Sequence, residues 1–358
     1  MAAVFLPCPL SRKGPMMSKP ASQILRSLRR SPALLLRSAC PIVGGQAVME
    51  GIMMRHGEGY ALAARHPSGD IVVERFPWFS LTRHPLLKKP FLRGFPVLLE
   101  TLVNGIKALN RSAIVQGDED ETPISGPQLM LTMLLALFMA VLLFVVAPHG
   151  LSLLMQALGV GGGVEGLTFH LWDGFYKCCI FMGYIWLISF VPDIRRVFQY
   201  HGAEHKTIHA FENGGIVDVM AAAGMSRLHP RCGTTFLLFV ICISIILHAV
   251  LVPALLHIYT PQNVLAKHAL TIAFKLLLVI PISALAYELI RYAARLSGGP
   301  WASVLRTPGL ILQRLTTAEP DKAQIEVALA ALREALGEET AGREIRTADY
   351  IVRSVERP

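Results

Sequence analysis

The residues with the clearest chemical potential lie in the segment QYHGAEHKTIHAFENGG, which runs from residue 199 to residue 215. His201, Glu204 and His205 form the pattern H-x-x-E-H, and His209 follows four residues later. Two histidines four residues apart on a helix project to the same side, so both imidazoles can bind one ion. The glutamate between them lies where it could act on a water molecule as a general base. This order of residues is that of the inverted zincin motif and predicts a divalent-metal site, with zinc as the first candidate.

A metal held by His201 and His205 needs a third protein ligand, and the sequence leaves its identity open. Histidine, cysteine and carboxylate side chains occur both near the motif and elsewhere in the chain. The candidates are His209, Glu212, Asp218, His229, Cys232, Glu50 and Glu288. The alternative is a solvated helix face near lipid head groups, where histidine and glutamate need no metal.

The motif requires a helix to position it, and the local sequence supplies one. The stretch from Asp193 to Glu212 has no internal proline and ends at Asn213-Gly214-Gly215, a typical helix stop. At 100° per residue the polar side chains fall within an arc of roughly 140°. This arc contains His201, Glu204, His205, Ile208, His209 and Glu212.

The composition of the chain is that of a membrane protein. Hydrophobic residues make up 53% and charged residues only 16%, well below the usual quarter. Four apolar stretches are each long enough to cross roughly 30 Å of hydrocarbon as helices. They are Gln128–Ala147, His170–Val191, Thr234–Tyr259 and His268–Ile290. We therefore predict a multi-pass, mainly α-helical protein with about four transmembrane helices.

The distribution of lysine and arginine predicts the orientation. The connection His149–Phe169 has neither residue, whereas the segment Pro192–Gly233 has five. Under the positive-inside rule this places both termini and the histidine motif in the cytosol. The six cysteines include no C-x-x-C pair, which fits a reducing compartment. The net charge of +9 then favours the lipid bilayer as partner and not nucleic acid, because no basic patch is interleaved with aromatic residues.

The remaining segments predict a domain order. Glycines and short alternating runs between residues 44 and 76 predict a small cytosolic antiparallel β-sheet, and residues 91–109 have the spacing of an amphipathic helix. The expected units are a basic disordered tail (1–41), the sheet and amphipathic helix (42–115), and a four-helix transmembrane bundle (116–292) that contains the motif loop 193–233. Interfacial and C-terminal helices (293–338) and a polar tail (339–358) follow.

Ionisable residues inside the apolar stretches keep a transport function open. They are Asp173, Lys177, His248, Lys275 and Glu288. Charged residues within membrane segments are rare and usually functional. Asp173 and Lys177, four residues apart, can also simply pair with each other.

Four motifs carry a resemblance to a known family: GGQAVMEGIMMR, YHGAEHKTIHAFE, HPRCGTTF and PGLILQRLTTAEP. Together they resemble the YqhQ-like family of bacterial multi-pass membrane proteins, a domain of unknown function, over about Ile42 to Leu336. The resemblance implies a membrane protein that depends on a metal, and it names no reaction. The polar residues of this chain that match the family's motifs are Glu50, Arg55, His201, Glu204, His205, Lys206, His229, Arg231 and Cys232.

Two functions of different classes follow from these patterns. The first is a membrane-bound, metal-dependent hydrolase at the cytosolic face, in which His201 and His205 ligate the ion and Glu204 is the general base. His229 or Cys232 would complete the ligand set, and the substrate would be lipid-like or peptide-like and presented at the membrane. The second is a non-catalytic membrane carrier or scaffold.

Overall fold

The computed structural model describes residues 41–117, 126–296, 299–337, 340 and 342–353. The predicted basic tail, apart from Pro41, and residues 118–125 before the first apolar stretch lie outside the described residues. The described part of the chain is mainly helical and contains a small sheet. The helices are α1 (Gly94–Gln116), α2 (Gly126–Val141), α3 (Ala147–Ala157), α4 (Leu167–Ile188), α5 (Pro192–Asn213), α6 (Val219–Ala223), α7 (Thr234–Ile258), α8 (Val264–Leu277), α9 (Val279–Arg295), α10 (Pro300–Thr316) and α11 (Lys322–Leu336).

The predicted antiparallel sheet is confirmed. Its strands β1 (Gly44–Val48), β2 (Gly51–His56), β3 (Gly59–Arg65) and β4 (Ile71–Pro77) pair in sequence order. A fifth strand, β7 (Ile351–Arg353), pairs parallel to β4 and comes from the segment expected to be a polar tail. Two residues of that tail also form β6 (Glu344–Ile345) beside β5 (Ile216–Val217).

The sheet has a helical layer on each face. On one face, α5 and α11 pack against apolar side chains of the central strands, and Phe211 and Leu329 are among the fully buried residues there. On the other face, α1 covers a cluster that includes Met53, Leu62 and Trp78. The apolar stripe of α11 is therefore buried against the sheet.

Within the described residues, three helical segments are long and apolar enough to cross a membrane: Met130–Ala157, Thr234–Ile258 and Val264–Arg295. A fourth is counted if the bent pair Leu167–Ile188 and Pro192–Asn213 forms one span. The first and the last of these segments correspond to the first and fourth predicted apolar stretches and are longer than expected, and Thr234–Ile258 matches the third. The second predicted stretch, His170–Val191, overlaps α4 and is counted only through the bent pair. We refer to α2, α3, α4 and α7–α9 as the apolar bundle.

Prolines interrupt the regular helix in the two longer segments. The first continues beyond Ala147 through a π-turn at Leu142–Val146, directly before Pro148. The last consists of α8 and α9, which meet at Leu278 just before Pro281. Proline lacks a backbone N–H and clashes with the preceding turn, so a helix that contains one bends or breaks there.

A bend of 98° between α4 and α5 takes the chain out of the apolar bundle and onto the sheet. Pro192 opens α5, which suits a residue whose missing N–H would have no partner in a first turn. The helix ends at Gly214, whose φ of 80° requires a residue without a side chain. The predicted motif helix, Asp193 to Glu212, is thus confirmed with one more residue at each end.

Candidate metal centre

His201, His205 and Cys232 come together at the junction of the sheet and the apolar bundle. Each offers one ligand atom, and these atoms all lie within 4.8 Å of one another. His201 Nε2 is 3.2 Å from Cys232 Sγ, and the centroids of the two imidazole rings are 4.4 Å apart. The two histidines lie on consecutive turns of α5, and Cys232 lies in the loop before α7. The group includes one of the third-ligand candidates considered above.

Backbone carbonyls hold both rings in one tautomer. His201 Nδ1 is 2.8 Å from the carbonyl oxygen of Thr316, and His205 Nδ1 is 2.6 Å from that of Arg227. A carbonyl only accepts hydrogen bonds, so each Nδ1 carries a proton and Nε2 is the nitrogen of each ring that can bind a metal once it is deprotonated. His205 Nε2 is buried and has no hydrogen-bond partner within the described part of the chain. Metal-binding histidines are commonly held in this way, and two imidazoles with a thiolate are a donor set that suits zinc.

The electrostatics of the group favour the ligating form of the cysteine. Burial alone raises the pKa of Cys232, but His201 and His205 outweigh it and lower that pKa well below its usual value. Burial lowers the pKa of His201, and the neighbouring Cys232 more than compensates and raises it to about 9. In the metal-free protein the pair is therefore an imidazolium and a thiolate, and the thiolate is the form of cysteine that binds metals.

Glu204 is buried beside this group, and its exposed fraction is 4%. Burial raises the pKa of its carboxyl group, and His201 and His205 only partly oppose this effect. The side chain packs against the backbone of Gly45 in β1. Glu204 and His201 also line a cavity of about 520 Å³ that extends into the apolar bundle. The carboxyl group therefore holds a proton more readily than an exposed glutamate, at a place reached from the cavity.

A second group of possible ligands is formed by His209, Glu212 and His229, but its bonding is different. Glu212 is paired with the guanidinium of Arg231. The backbone N–H of Arg231 points to His229 Nδ1 at 3.3 Å, so the proton of this ring lies on Nε2, which is 3.6 Å from a Glu212 oxygen. His209 Nε2 is 3.0 Å from the carbonyl of Leu228. This group is a network of hydrogen bonds and ion pairs.

Both histidines of the second group are held neutral. Burial lowers the pKa of His209 to about 4 and that of His229 to about 3. The His229 ring centroid is 5.7 Å from that of His205. Of the two residues considered for completing the ligand set, the structure thus places Cys232 with His201 and His205, and His229 with His209 and Glu212.

The loop that contains Cys232 is held by the end of α10. Gln313 is fully buried, accepts a hydrogen bond from the His229 N–H at 2.8 Å and donates one to the His229 carbonyl at 2.9 Å. Arg227 donates to the carbonyl of Thr317. Sequence reasoning missed these supports, although Gln313 and Thr316 lie three residues apart on one face of a short amphipathic helix. A pair of polar residues on that face was the signal available.

Two of the predicted site residues anchor α5 instead of joining the metal-ligand group. Glu50 forms an ion pair with Arg196 and accepts a hydrogen bond from the Tyr200 hydroxyl at 3.3 Å. Lys206 donates to the carbonyl of Ala223 at 2.9 Å and pairs with Glu319. These contacts link α5 to the β1–β2 turn, to α6 and to the segment after α10.

Three further candidates lie in other places. The Arg55 guanidinium lies 3.8 Å above the ring of Trp78, and burial lowers its pKa to about 10. Glu288 pairs with Arg93 at 2.6 Å, which links α9 to the start of α1. Asp218 accepts a hydrogen bond from the backbone of Ala221 at 2.7 Å and caps α6.

Comparison with known proteins agrees with the resemblance carried by the sequence motifs. The family model "Protein of unknown function (DUF1385)" matches residues 89–338, which include both histidine groups and α10. The "Uncharacterized protein YqhQ" of Bacillus subtilis (strain 168) is 31% identical over 310 residues, which cover 83% of this chain and 92% of that protein. No solved structure matches. The chain therefore belongs to the YqhQ-like family of proteins that is described as DUF1385.

Proposed function

We propose that this protein is an integral membrane protein of the bacterial cytoplasmic membrane and a metal-dependent hydrolase with its site at the cytosolic face. The apolar bundle supports the membrane location, because its segments are long enough to span the hydrocarbon. The five lysines and arginines between Pro192 and Gly233 support the cytosolic placement of the site.

The observation that carries the proposal is the free, buried Nε2 of His205 beside a thiolate and a second oriented imidazole. His201, His205 and Cys232 would hold the ion through two nitrogens and one sulfur, and zinc suits this set best. Three protein ligands are typical of catalytic zinc sites, which leave one position for water or substrate. A bound divalent ion supplies a Lewis acid that polarises a carbonyl or phosphoryl oxygen and makes a nearby water more acidic.

Glu204 supplies the proton transfers. Its raised carboxyl pKa allows it to take a proton from the attacking water, hold it, and give it to the leaving group. The carboxyl group faces the cavity together with His201, so a substrate in the cavity would meet both. The surrounding walls are mostly apolar, and such low-dielectric surroundings strengthen each electrostatic contact in the site.

Metal content and hydrolysis of the purified full-length chain test this proposal together. We expect about one zinc per chain, lost in His201→Ala and in His205→Ala, because two remaining ligands hold a divalent ion poorly. Glu204→Gln should keep the metal and lose hydrolysis of fluorogenic acyl esters, because a general base is not a ligand. His257→Ala, which changes an exposed histidine at the far end of α7, serves as the matched control.

Cobalt substitution adds a readout that requires the cysteine. A thiolate ligand gives cobalt a charge-transfer band, which we expect in the unmodified chain and not in Cys232→Ser. If His205→Ala leaves both metal content and ester hydrolysis unchanged, the proposal is wrong. Metal-free protein that is fully folded would instead favour the carrier or scaffold, for which the buried charges of the apolar bundle are the supporting observation.

A further inference from the structure

A second polar cluster lies inside the apolar bundle, where Asp173 is placed between two lysines. Lys275 Nζ is 2.7 Å from one carboxylate oxygen of Asp173, and Lys177 Nζ is 3.5 Å from the other. All three side chains are buried, and Lys275 is only 1% exposed. The lysines come from α4 and α8, so the cluster is made by packing and not by one segment.

Histidines extend this cluster: each accepts a hydrogen bond from a lysine and has a donor N–H on its other ring nitrogen. Lys177 donates to His248 Nδ1 at 3.3 Å, and Lys275 donates to His149 Nδ1 at 3.3 Å. An ammonium has no lone pair, so each of these imidazoles carries its proton on Nε2. His149 Nε2 finds an acceptor in His268 Nδ1 at 3.1 Å. His248 Nε2 is buried and has no partner among the described residues.

The charges of the cluster do not balance. Among the described residues, two lysines face one carboxylate, and a donor of His248 without a partner lies beside them. An uncompensated charge in an apolar interior is destabilising, whereas a paired one is tolerated. A negatively charged ligand would balance the excess and accept the hydrogen bond of His248.

The cavity that begins at Glu204 and His201 reaches this cluster, because Lys177, His248 and Lys275 also line it. One face of α7 runs along it from Thr234 to His248, a rise of about 21 Å at 1.5 Å per residue. Between the two ends the walls are mostly apolar. They include Phe181, Ile185, Leu237, Val240, Ile241 and Ile282.

The walls of the cavity limit what it can hold. Its volume is about 520 Å³, and along most of its length the walls are apolar. The backbone N–H and C=O groups of an extended peptide would lose their hydrogen bonds against such walls. A single extended alkyl chain suits them and would leave its polar ends at the two polar ends of the cavity.

We propose that Lys177, His248 and Lys275 bind the anionic group of a single-chain amphiphile whose alkyl chain follows the cavity and places the hydrolysable group at its other end beside His201 and Glu204. The anionic group is a carboxylate or a phosphate monoester, both of which form charge-assisted hydrogen bonds with ammonium groups. This inference deepens the proposed function and rests on it, because it takes the ligand of the cavity to be the substrate of the hydrolase. It selects a lipid-like substrate over a peptide-like one.

Ligand binding to the full-length chain in nanodiscs of phosphatidylcholine tests the anion site. Radiolabelled palmitate and hexadecyl phosphate should bind, hexadecanol should bind roughly tenfold more weakly or worse, and acetate should not compete. Lys177→Met should weaken binding of the two anions by roughly tenfold or more and leave hexadecanol unaffected. This variant should fold, because Asp173 keeps its closer partner Lys275 and the charges then balance.

Matched variants make the test decisive. Lys177→Arg should retain the binding of palmitate, and Lys267→Met, which changes a lysine paired with Glu165 at the start of α8, should not affect it. His205→Ala should lose metal and still bind palmitate, so failure of the metal site and failure of the anion site are separate results. Equal binding of palmitate and hexadecanol, or unchanged palmitate binding in Lys177→Met, would overturn the inference. Displacement of palmitate by acetate would show that a free anion is recognised, and displacement by an acidic transmembrane peptide would show a peptide ligand. Either of these two results would also overturn it.

Discussion

Gly45 and Glu204 lie so close that a methyl group on residue 45 would be 2.8 Å from the carboxyl carbon of Glu204. Gly45 is in β1, and Glu204 is on the side of α5 that carries the metal-ligand group. The absence of a side chain at residue 45 thus determines where the proposed general base lies. Both residues fall within the motifs that carry the family resemblance.

Gly45→Ala should therefore displace the Glu204 carboxyl group and leave the ligands of the proposed metal in place. We expect zinc content to be unchanged and hydrolysis of fluorogenic esters to fall by about a hundredfold, which is the effect of a catalytic group displaced by about 1 Å. Gly183→Ala is the control, because a methyl group there meets no atom within 4 Å. Full activity of Gly45→Ala would show that the position of Glu204 does not matter.

The two hydrogen bonds between Gln313 and the backbone of the Cys232 loop can be tested separately. Gln313→Met keeps the size of the side chain but leaves the N–H and carbonyl of His229 without their partners. Each unpaired buried group costs about 1–3 kcal/mol, so we expect a lower melting temperature in detergent and weaker zinc retention. The neighbouring Arg314→Met, on the exposed side of α10, should change neither. Equal stability of the two variants would show that Gln313 does not stabilise the Cys232 loop.

The buried neutral histidines predict a pH dependence of stability. The pKa of His209 is lowered from 6.5 to about 4, so the unfolded chain binds a proton more readily than the folded one. The stability present above pH 6.5 is therefore lost as the pH falls towards 4, by roughly 2 kcal/mol between pH 7 and pH 5. Thermal unfolding at the two pH values measures it.

A variant isolates this contribution. His209→Gln should reduce the difference in stability between pH 7 and pH 5, because glutamine does not titrate in this range. The exposed His257→Gln should leave the difference as it is. The hypothesis of a buried neutral imidazole fails if the two variants behave alike.

Cysteine labelling in intact cells tests the proposed orientation. Gly162 lies in the connection between α3 and α4, which has no lysine or arginine, and Gly214 follows the metal motif. An impermeant maleimide should label Gly162→Cys above the level of the parent chain and should label Gly214→Cys only after lysis. Labelling of Gly214→Cys alone in intact cells would place the metal motif outside.

The elements set by local patterns could be predicted from the sequence. The long apolar runs and the spacing of His201, Glu204 and His205 depend only on residue type and helical geometry, because neighbouring turns meet whatever the rest of the chain does. The antiparallel sheet followed in the same way from short alternating runs and turn residues. The end of the motif helix at Gly214 could be predicted for a similar reason, since the left-handed backbone there favours glycine.

The contacts between distant segments were decided only by the tertiary structure. The sequence left His229 and Cys232 as equal candidates, and the conformation of their loop, held by Gln313 from a helix more than 80 positions later, brings Cys232 to His201. Burial of Glu204 against Gly45, and the placement of Lys177 and Lys275 on the same carboxylate, also join residues far apart in the chain. On a solvated helix the same residues would form an ordinary polar face, because water would accept and donate their hydrogen bonds. Packing excludes that water, so the buried side chains depend on partners from distant segments.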